Sequence, residues 1–381
     1  MPQPYQDSYT VSFHSLADMM TYHAEQAKSS MWERTEVNNL CVEPLDENSP
    51  LYGDPSQFNT TVSEDAVKDT ARNLGLAIMT CGRLYPVRDT AYKSLVDRAK
   101  IYGTALPKLR RKILADTLNE CLSLQKSAKA LLLIRNQKVS AVHSGDEKDY
   151  SILPIDELME SLKAKLDENF PGSVFESGYS DHSLTSAAWS LPDQKDDLLG
   201  SYHKTLAAQG KAALVAKLMP GIRFSTSDTG MASAKASALL IGLRYPIHIG
   251  GMVATEHRKQ TKVGDFQNDL DMLFAQFRNS VKHLEKLTAV FLDHPVNAMT
   301  AVCKKLSMPK KTALEAIAMF EMAYGGGTSS AHDVFMAMQE IMFMLKTENT
   351  PESKMLLLEE SMARALTLNW PHYDYAKAVN W

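Results

Sequence analysis

Cysteine is scarce. The four in 381 residues, at 41, 81, 121 and 303, form no Cys-x-x-Cys pair and have no histidine at zinc-ligand spacing. That excludes a disulfide scaffold and a zinc ribbon, and leaves free thiols that are expected to be buried. The first three are 40 residues apart, yet their flanks CVEPLDENSP, CGRLYPVRDT and CLSLQKSAKA share nothing else, so the spacing is no repeat. Long apolar runs are missing too. Ala236 to Leu243 and Tyr245 to Thr255 are split by Arg244 and fall short of the ~18–20 residues that cross a bilayer. The opening MPQPYQDSYT lacks the basic and then apolar segments of a secretory signal, so the expectation is a soluble, cytoplasmic chain. Charge of one sign is also absent: 41 basic against 45 acidic side chains leave −4. A globally basic binder is thereby excluded, while a local basic face is not.

Catalytic motifs are missing as well. There is no GxxxxGK[ST] phosphate loop, no GxSxG elbow, no HExxH and no GxGxxG after a strand. The run Gly325, Gly326, Gly327 has no lysine to complete a nucleotide cradle and reads as a helix connection. Asn268, Asp269 and Asp271 sit where a helix dipole favours negative charge, which explains them without a metal. The eleven histidines are scattered. His248 and His257 flank one strand end, within conceivable reach of His143 or His182 across a sheet, but a satisfied core or surface role explains each. Tyr179, Asp181 and His182 form a turn tip with acid/base-capable groups that turn chemistry also explains. No cofactor and no metal are expected, and catalysis is the less favoured reading.

What is present is organised by charge and periodicity. Met31 to Lys68 carries eight acids against two bases and reads as an irregular acidic loop, either a solvated linker or a cover for a basic face. Ser63 opens a helix whose stripe is Val67, Ala71, Leu74 and Ile78, followed by helices over Asp89–Tyr102 and Pro107–Leu124. Strands follow at Leu131–Ile134 and Val139–Val142, a helix at Pro154–Phe170, and strands at Ser173–Tyr179 and Ser183–Ser190. After a helix-rich insertion from Asp193 to Met219, strands return at Ile222–Ser227, Lys235–Leu243 and Pro246–Ala254, with Gly230 in the first turn. Leu270, Leu273, Phe274, Phe277, Val281, Leu284, Leu287 and Phe291 then mark a long amphipathic helix ended by Pro295. Three more helices occupy Lys310–Tyr324, His332–Leu345 and Glu352–Leu366, and ten of the 20 methionines lie between Met299 and Met362, as adaptable core with a remainder suited to contacts between subunits. The expected class is α+β: an N-terminal arm (1–62), a helical lobe (63–130), an α+β core (131–295) with a mostly antiparallel sheet and a long packed helix, and a helical, Met-rich C-terminal region (296–381).

Basic residues are the most informative feature. Lys93 to Lys138 holds eleven bases and three acids, net +8. EHRKQTK adds Arg258, Lys259 and Lys262, and Arg278, Lys282 and Lys286 fall on one helix face at i, i+4, i+8. Lys304, Lys305, Lys310 and Lys311 add a further basic cluster. Aligned cations track phosphates and release counterions on binding; a solvated helix face is the alternative.

The order AYKSLVDRAKIYGTALPKLRRKILADTLNECL, LLLIRNQKVSAV, GIRFSTSDTGMASAKASALLI, IGGMVATEHRKQTK and a long helix resembles the phage/plasmid-like family called domain of unknown function 932, over about residues 90 to 345. Its most specific part is Phe224 to Leu240 with Ser227, Asp228 and Gly230, then Gly250, Gly251, Met252, His257 and Arg258; SSAHDVFMAMQE resembles the family's C-terminal helix. Where members often carry a Cys-x-Asn-Gly-like step, this chain has His248, Ile249, Gly250 and Gly251, so no role of that Cys or Asn carries over. The resemblance implies a mobile-element origin and an α+β core, and the order of elements is loosely similar to the core of single-strand annealing proteins. Two functions are therefore expected. The first is a non-catalytic nucleic-acid-binding protein that holds or anneals single strands in recombination or replication, either single- or double-stranded DNA being the partner. Lys108, Arg110, Arg111, Lys112, Arg258, Lys259, Lys262 and Lys282 would contact phosphates, and the chain would form homo-oligomers. The second is an oligomeric protein-interaction or counter-defence protein.

Overall fold

The computed structural model describes residues 3–324 and 326–381, and within them every side chain except that of Phe274; Gly325 and that ring lie outside what is described. The chain runs β1 (Thr10–Phe13), α1 (Leu16–Ser29), β2 (Met31–Glu36), β3 (Cys41–Pro44), α2 (Glu64–Arg72), β4 (Leu76–Thr80), β5 (Arg83–Pro86), α3 (Asp89–Ala99), α4 (Arg111–Ser123), β6 (Lys129–Arg135) and β7 (Lys138–Ser144). It continues with α5 (Ile155–Asn169), β8 (Val174–Asp181), β9 (Thr185–Ser190), α6 (Lys195–Ala208), α7 (Ala212–Lys217), β10 (Met219–Thr226), β11 (Ala234–Ile241), β12 (Ile247–His248) and β13 (Val253–Thr255). Last come α8 (Val263–Leu287), β14 (Phe291–Leu292), α9 (Pro295–Lys305), α10 (Lys310–Tyr324), β15 (Ser329–Ser330), α11 (Ala331–Thr347) and α12 (Glu352–Ala363). The class is α+β, with a seven-stranded antiparallel sheet in the order β1-β8-β9-β10-β11-β12 and β13 beside β11.

Two apolar clusters define two lobes. The smaller draws on residues between Val37 and Val142, where sheets β2-β6-β7 and β3-β4-β5 are packed by α2, α3 and α4. The larger draws on Phe13, Met19 and residues from Leu153 to Trp370. Alternation along β10 explains how the large sheet is covered on both faces. Phe224 meets Phe266 of α8 (centroids 5.7 Å apart), while its neighbour Arg223 points the other way and holds Glu359 of α12 at 2.7 and 2.9 Å. Leu270, Leu273, Phe277, Val281, Leu284 and Leu287 of α8 are all buried, as their spacing predicts.

Several expectations are corrected. The acidic stretch is not irregular throughout: β2 pairs with β6 (Met31 opposite Ile134, Glu36 opposite Lys129), and β3 pairs with β4. The helix opened by Ser63, whose Oγ accepts Ala66 N at 3.3 Å, stops at Arg72 because Gly75 turns left-handed (φ +68°) and returns its N–H to Thr70 O; Ile78 belongs to β4. Helix α3 ends at Ala99 on a left-handed Lys100, and Pro107 lies in a 3₁₀ turn before α4. The strand expected over Pro246–Ala254 breaks into β12 and β13 at Gly250 and Gly251, both at positive φ; a Cβ on Gly251 would stand 2.7 Å from Ser280 Oγ of α8. Pro295 begins α9 rather than ending α8, and Phe291, 70% exposed, sits in β14. Of the thiols only Cys303 is buried; Cys41 and Cys81 are exposed. No helix among the described residues is long and apolar enough to cross a membrane.

Candidate functional site

The junction of the lobes is polar, and the β10–β11 turn stands at its centre. Ser227 Oγ accepts Thr229 N and Met231 N, both at 3.2 Å, and Gly230 (φ +75°) closes the turn; a Cβ there would stand 3.2 Å from the His143 ring. The turn's Asp228 is buried and binds the small lobe three ways. Its main-chain oxygen accepts His143 Nε2–H at 2.8 Å and Tyr150 Oη–H at 2.9 Å, and its carboxylate pairs with Arg135, whose Nε donates to Ser30 Oγ at 2.6 Å. The Tyr150 ring stacks on His143 (3.6 Å, 5°) and on His257 (5.5 Å, 12°). Of the four histidines considered together, then, the structure unites His143 and His257 through Tyr150. His248 stays buried on β12, and His182 binds Gln6 O at 2.8 Å. Burial holds His143 and His23 down to about 4, lowers His257 and raises Tyr150, so these groups are neutral at pH 7.

On one side of this junction lie two adjoining cavities that share Arg98, Lys100, Ser144 and Asp149. One, about 400 Å³, is lined by Lys93, His143, Tyr150 and Gly230; the other, about 960 Å³, by Arg34, Asn39, Lys129 and Gln260. Lys93, Arg98, Lys100 and Lys129 make no ion pair among the described residues, whereas Arg34 is committed to Glu147 at 3.0 Å. The same walls carry Glu36, Asp97, Asp146, Glu147 and Asp149, so cation and carboxylate balance along the cleft as a whole. Its cationic wall is α3 with the start of β6, and three of its acids share the 146–149 loop.

None of the eight cations selected from the sequence lines either cavity. Arg111 is structural: its guanidinium donates to Asn73 O at 3.1 Å beyond the end of α2, and its stem fills the space beside Gly75. Lys112 pairs with Asp116 (3.2 Å) and Arg258 with Glu256 (2.9 Å). Lys108, Arg110 and Lys112 stand exposed around the start of α4. Arg258, Lys259 and Lys262 are exposed in the loop before α8, where Lys259 N and Gln260 N bind Lys148 O and Glu147 O. Lys282 is exposed on α8, whose Arg278 is taken by Asp197 at 2.6 Å. Of EHRKQTK only Gln260 reaches the cleft wall beside the +8 segment; its cations Arg258, Lys259 and Lys262 do not.

The other sequence candidates resolve as structure. Asp181 Oδ1 accepts Ser183 N (2.6 Å) and Leu184 N (2.8 Å), and its Oδ2 accepts Tyr179 Oη–H (2.8 Å), which is turn chemistry. Asp269 accepts from Thr255, and Asp271 pairs with Lys165 at 2.8 Å, tying α8 to β13 and α5. No group of three or more His, Cys, Asp or Glu among the described residues is placed to hold a metal ion. No family model, curated protein or solved structure matches this chain. The resemblance to the phage/plasmid-like family therefore rests on the sequence motifs alone. The cleft residues Lys93, Arg98, Lys100 and Lys129 lay inside the +8 segment without standing out, because what distinguishes them is their place on the walls of two adjoining cavities, which only the fold creates.

Proposed function

We propose that this chain is a non-catalytic nucleic-acid-binding protein of mobile-element type that holds single strands along the cleft between its lobes, as recombination or replication requires. The observation that carries the reading is the set of four cations, Lys93, Arg98, Lys100 and Lys129, without ion pairs among the described residues on the walls of two adjoining cavities. Phosphates meet the α3 and β6 wall, while the acids of the 146–149 loop keep the backbone to that side and hold the affinity moderate. Four phosphate contacts on a single strand release counterions with a slope of log K against log salt of about −3. Fluorescence anisotropy of a labelled single-stranded oligonucleotide between ~50 and ~200 mM salt should then show binding weaken about 50-fold, and Lys129→Ala should flatten the slope by about 0.7. Absence of binding at low salt, or a slope near zero, refutes the reading.

A second reading, self-association or protein binding, has one favourable observation: α10 leaves Leu314, Met319 and Met322 exposed, Met322 by 86%. A concentration-independent monomer in light scattering would remove it.

A further inference from the structure

We infer that a separate cavity of about 240 Å³, bounded by α1, β2 and the start of α5, is a pocket for a single unstacked nucleobase of the bound strand. The inference rests on the single-strand reading above and adds the group that this side of the junction recognises.

Size is the first argument. Pockets for drug-sized ligands begin near 300 Å³, so this one suits one flat heterocycle and not a whole nucleotide. Unmet hydrogen bonds are the second. His23, 4% exposed, lines the cavity, and its Nε2 is buried with no partner; Asp156 Oδ1, at the start of α5, is buried and unpartnered in the same wall. Leaving such buried atoms unpaired forfeits the hydrogen bonds that water would give them, so they favour an occupant that supplies an N–H to the carboxylate and a complementary atom to the imidazole. The edge of one base carries both within a rigid plane. Gln26 adds to them: Asn136 Nδ2 occupies its Oε1 at 3.0 Å, and its NH₂ has no partner among the described residues.

Charge distinguishes a base from a phosphate. The lining holds Asp156, Glu157 and Asp228 against Arg135, and Arg135 is already spent on Asp228. A phosphate would be repelled, whereas the N–H groups of a neutral base are attracted. Trp32 supplies the aromatic wall. It is half-buried and leans on both His143 and Tyr150 with centroids 6.1 Å away, so its orientation is set by the junction stack. Bases of any identity stack on such a surface. Position links the pocket to the cleft, because Trp32 and Arg34 are two residues apart on β2 and share a face, and Arg34 lines the 960 Å³ cavity.

The test compares an oligodeoxyadenylate with an abasic oligomer of the same phosphate number on the full chain. Loss of the bases should weaken binding about 5- to 150-fold, the range of base–aromatic stacking. In Asp156→Asn and Trp32→Phe, folded by circular dichroism and urea midpoint, the ratio of intact to abasic affinity should collapse. Equal affinity of the two oligomers, both with a salt slope of about −3, overturns the pocket and leaves the cleft standing. If neither oligomer binds, the cleft reading falls, and deoxyadenosine alone decides the pocket. Saturable quenching of tryptophan emission that is lost in Trp32→Phe supports it, and emission indifferent to deoxyadenosine overturns it.

Discussion

Replacing Asp7 with alanine should cost about 3–5 kcal/mol of stability, because it removes a carboxylate that two buried cations share. The N-terminal segment before β1 crosses from the large lobe to the small one, and Asp7 is its anchor. Its Oδ1 accepts Lys138 Nζ at 2.9 Å and Arg88 Nη1 at 3.2 Å, and its Oδ2 accepts Asp89 N at 3.3 Å. The side chains of Arg88 and Lys138 are 0% exposed and Asp7 is 7% exposed, so water does not screen the cluster. Among the described residues the remaining carboxylate paired with these cations is Asp69, 2.5 Å from Lys138. Burial already pulls Arg88 down to about 10, so desolvation there outweighs what its anionic neighbours return. One carboxylate cannot serve both cations, and the penalty of an uncompensated buried charge applies in full. Urea unfolding of Asp7→Ala and Asp7→Asn, with Lys138→Met as the second edge of a double-mutant cycle, measures it. The double variant should recover part of the loss. A cost below about 1 kcal/mol, the worth of an exposed pair, would refute the argument.

Acid should destabilise the fold well before carboxylates dominate. Burial lowers His23 and His143 to about 4 and His182 to about 3, while the unfolded chain titrates near 6.5. Between those values the unfolded state binds more protons, so stability is full above pH ~6.5 and falls as pH drops toward 4, by about 3 kcal/mol for each of the first two. Urea midpoints that stay level from pH 7 to pH 4.5 would contradict this. Glu359→Gln should cost about 3–5 kcal/mol by leaving Arg223 charged and buried, whereas Arg223→Met with Glu359→Met should regain most of it. Equal losses in the single and double variants in a urea titration would show that the pair's charge is not the cause.

Much of the large lobe was legible because its periods are uninterrupted. The helix over Pro154–Phe170 and the strands flanking SDH and SDTGM fall within three residues of α5, β8, β9, β10 and β11. The first 86 residues were mostly not, apart from the start of α2 at Ser63, for a physical reason. In β2 the alternation Glu33, Arg34, Thr35, Glu36 belongs to an edge strand that wears charge on a partly exposed face, and composition reads that as loop. Ile78 illustrates a wrong period: it continues the α2 stripe on paper, but Gly75 resets the chain into β4. At the site, the motif residues Asp228 and Gly230 were visible, and the partners of Asp228, Arg135 and Tyr150, were not. Those contacts join positions 78 or more apart in sequence and arise only when the lobes meet. Cations clustered in sequence, such as Lys108 to Lys112, stood out over Lys93, Arg98, Lys100 and Lys129, since clustering reports local charge and not which cations the fold gathers along a cavity wall.

Amide hydrogen exchange of the full chain, with and without a saturating single-stranded oligonucleotide, tests the central claim most directly. The lobe-junction cleft predicts slowed exchange in residues 93–101, 127–130 and 144–149. Protection confined to 108–112 and 258–286, or protection nowhere, would contradict it.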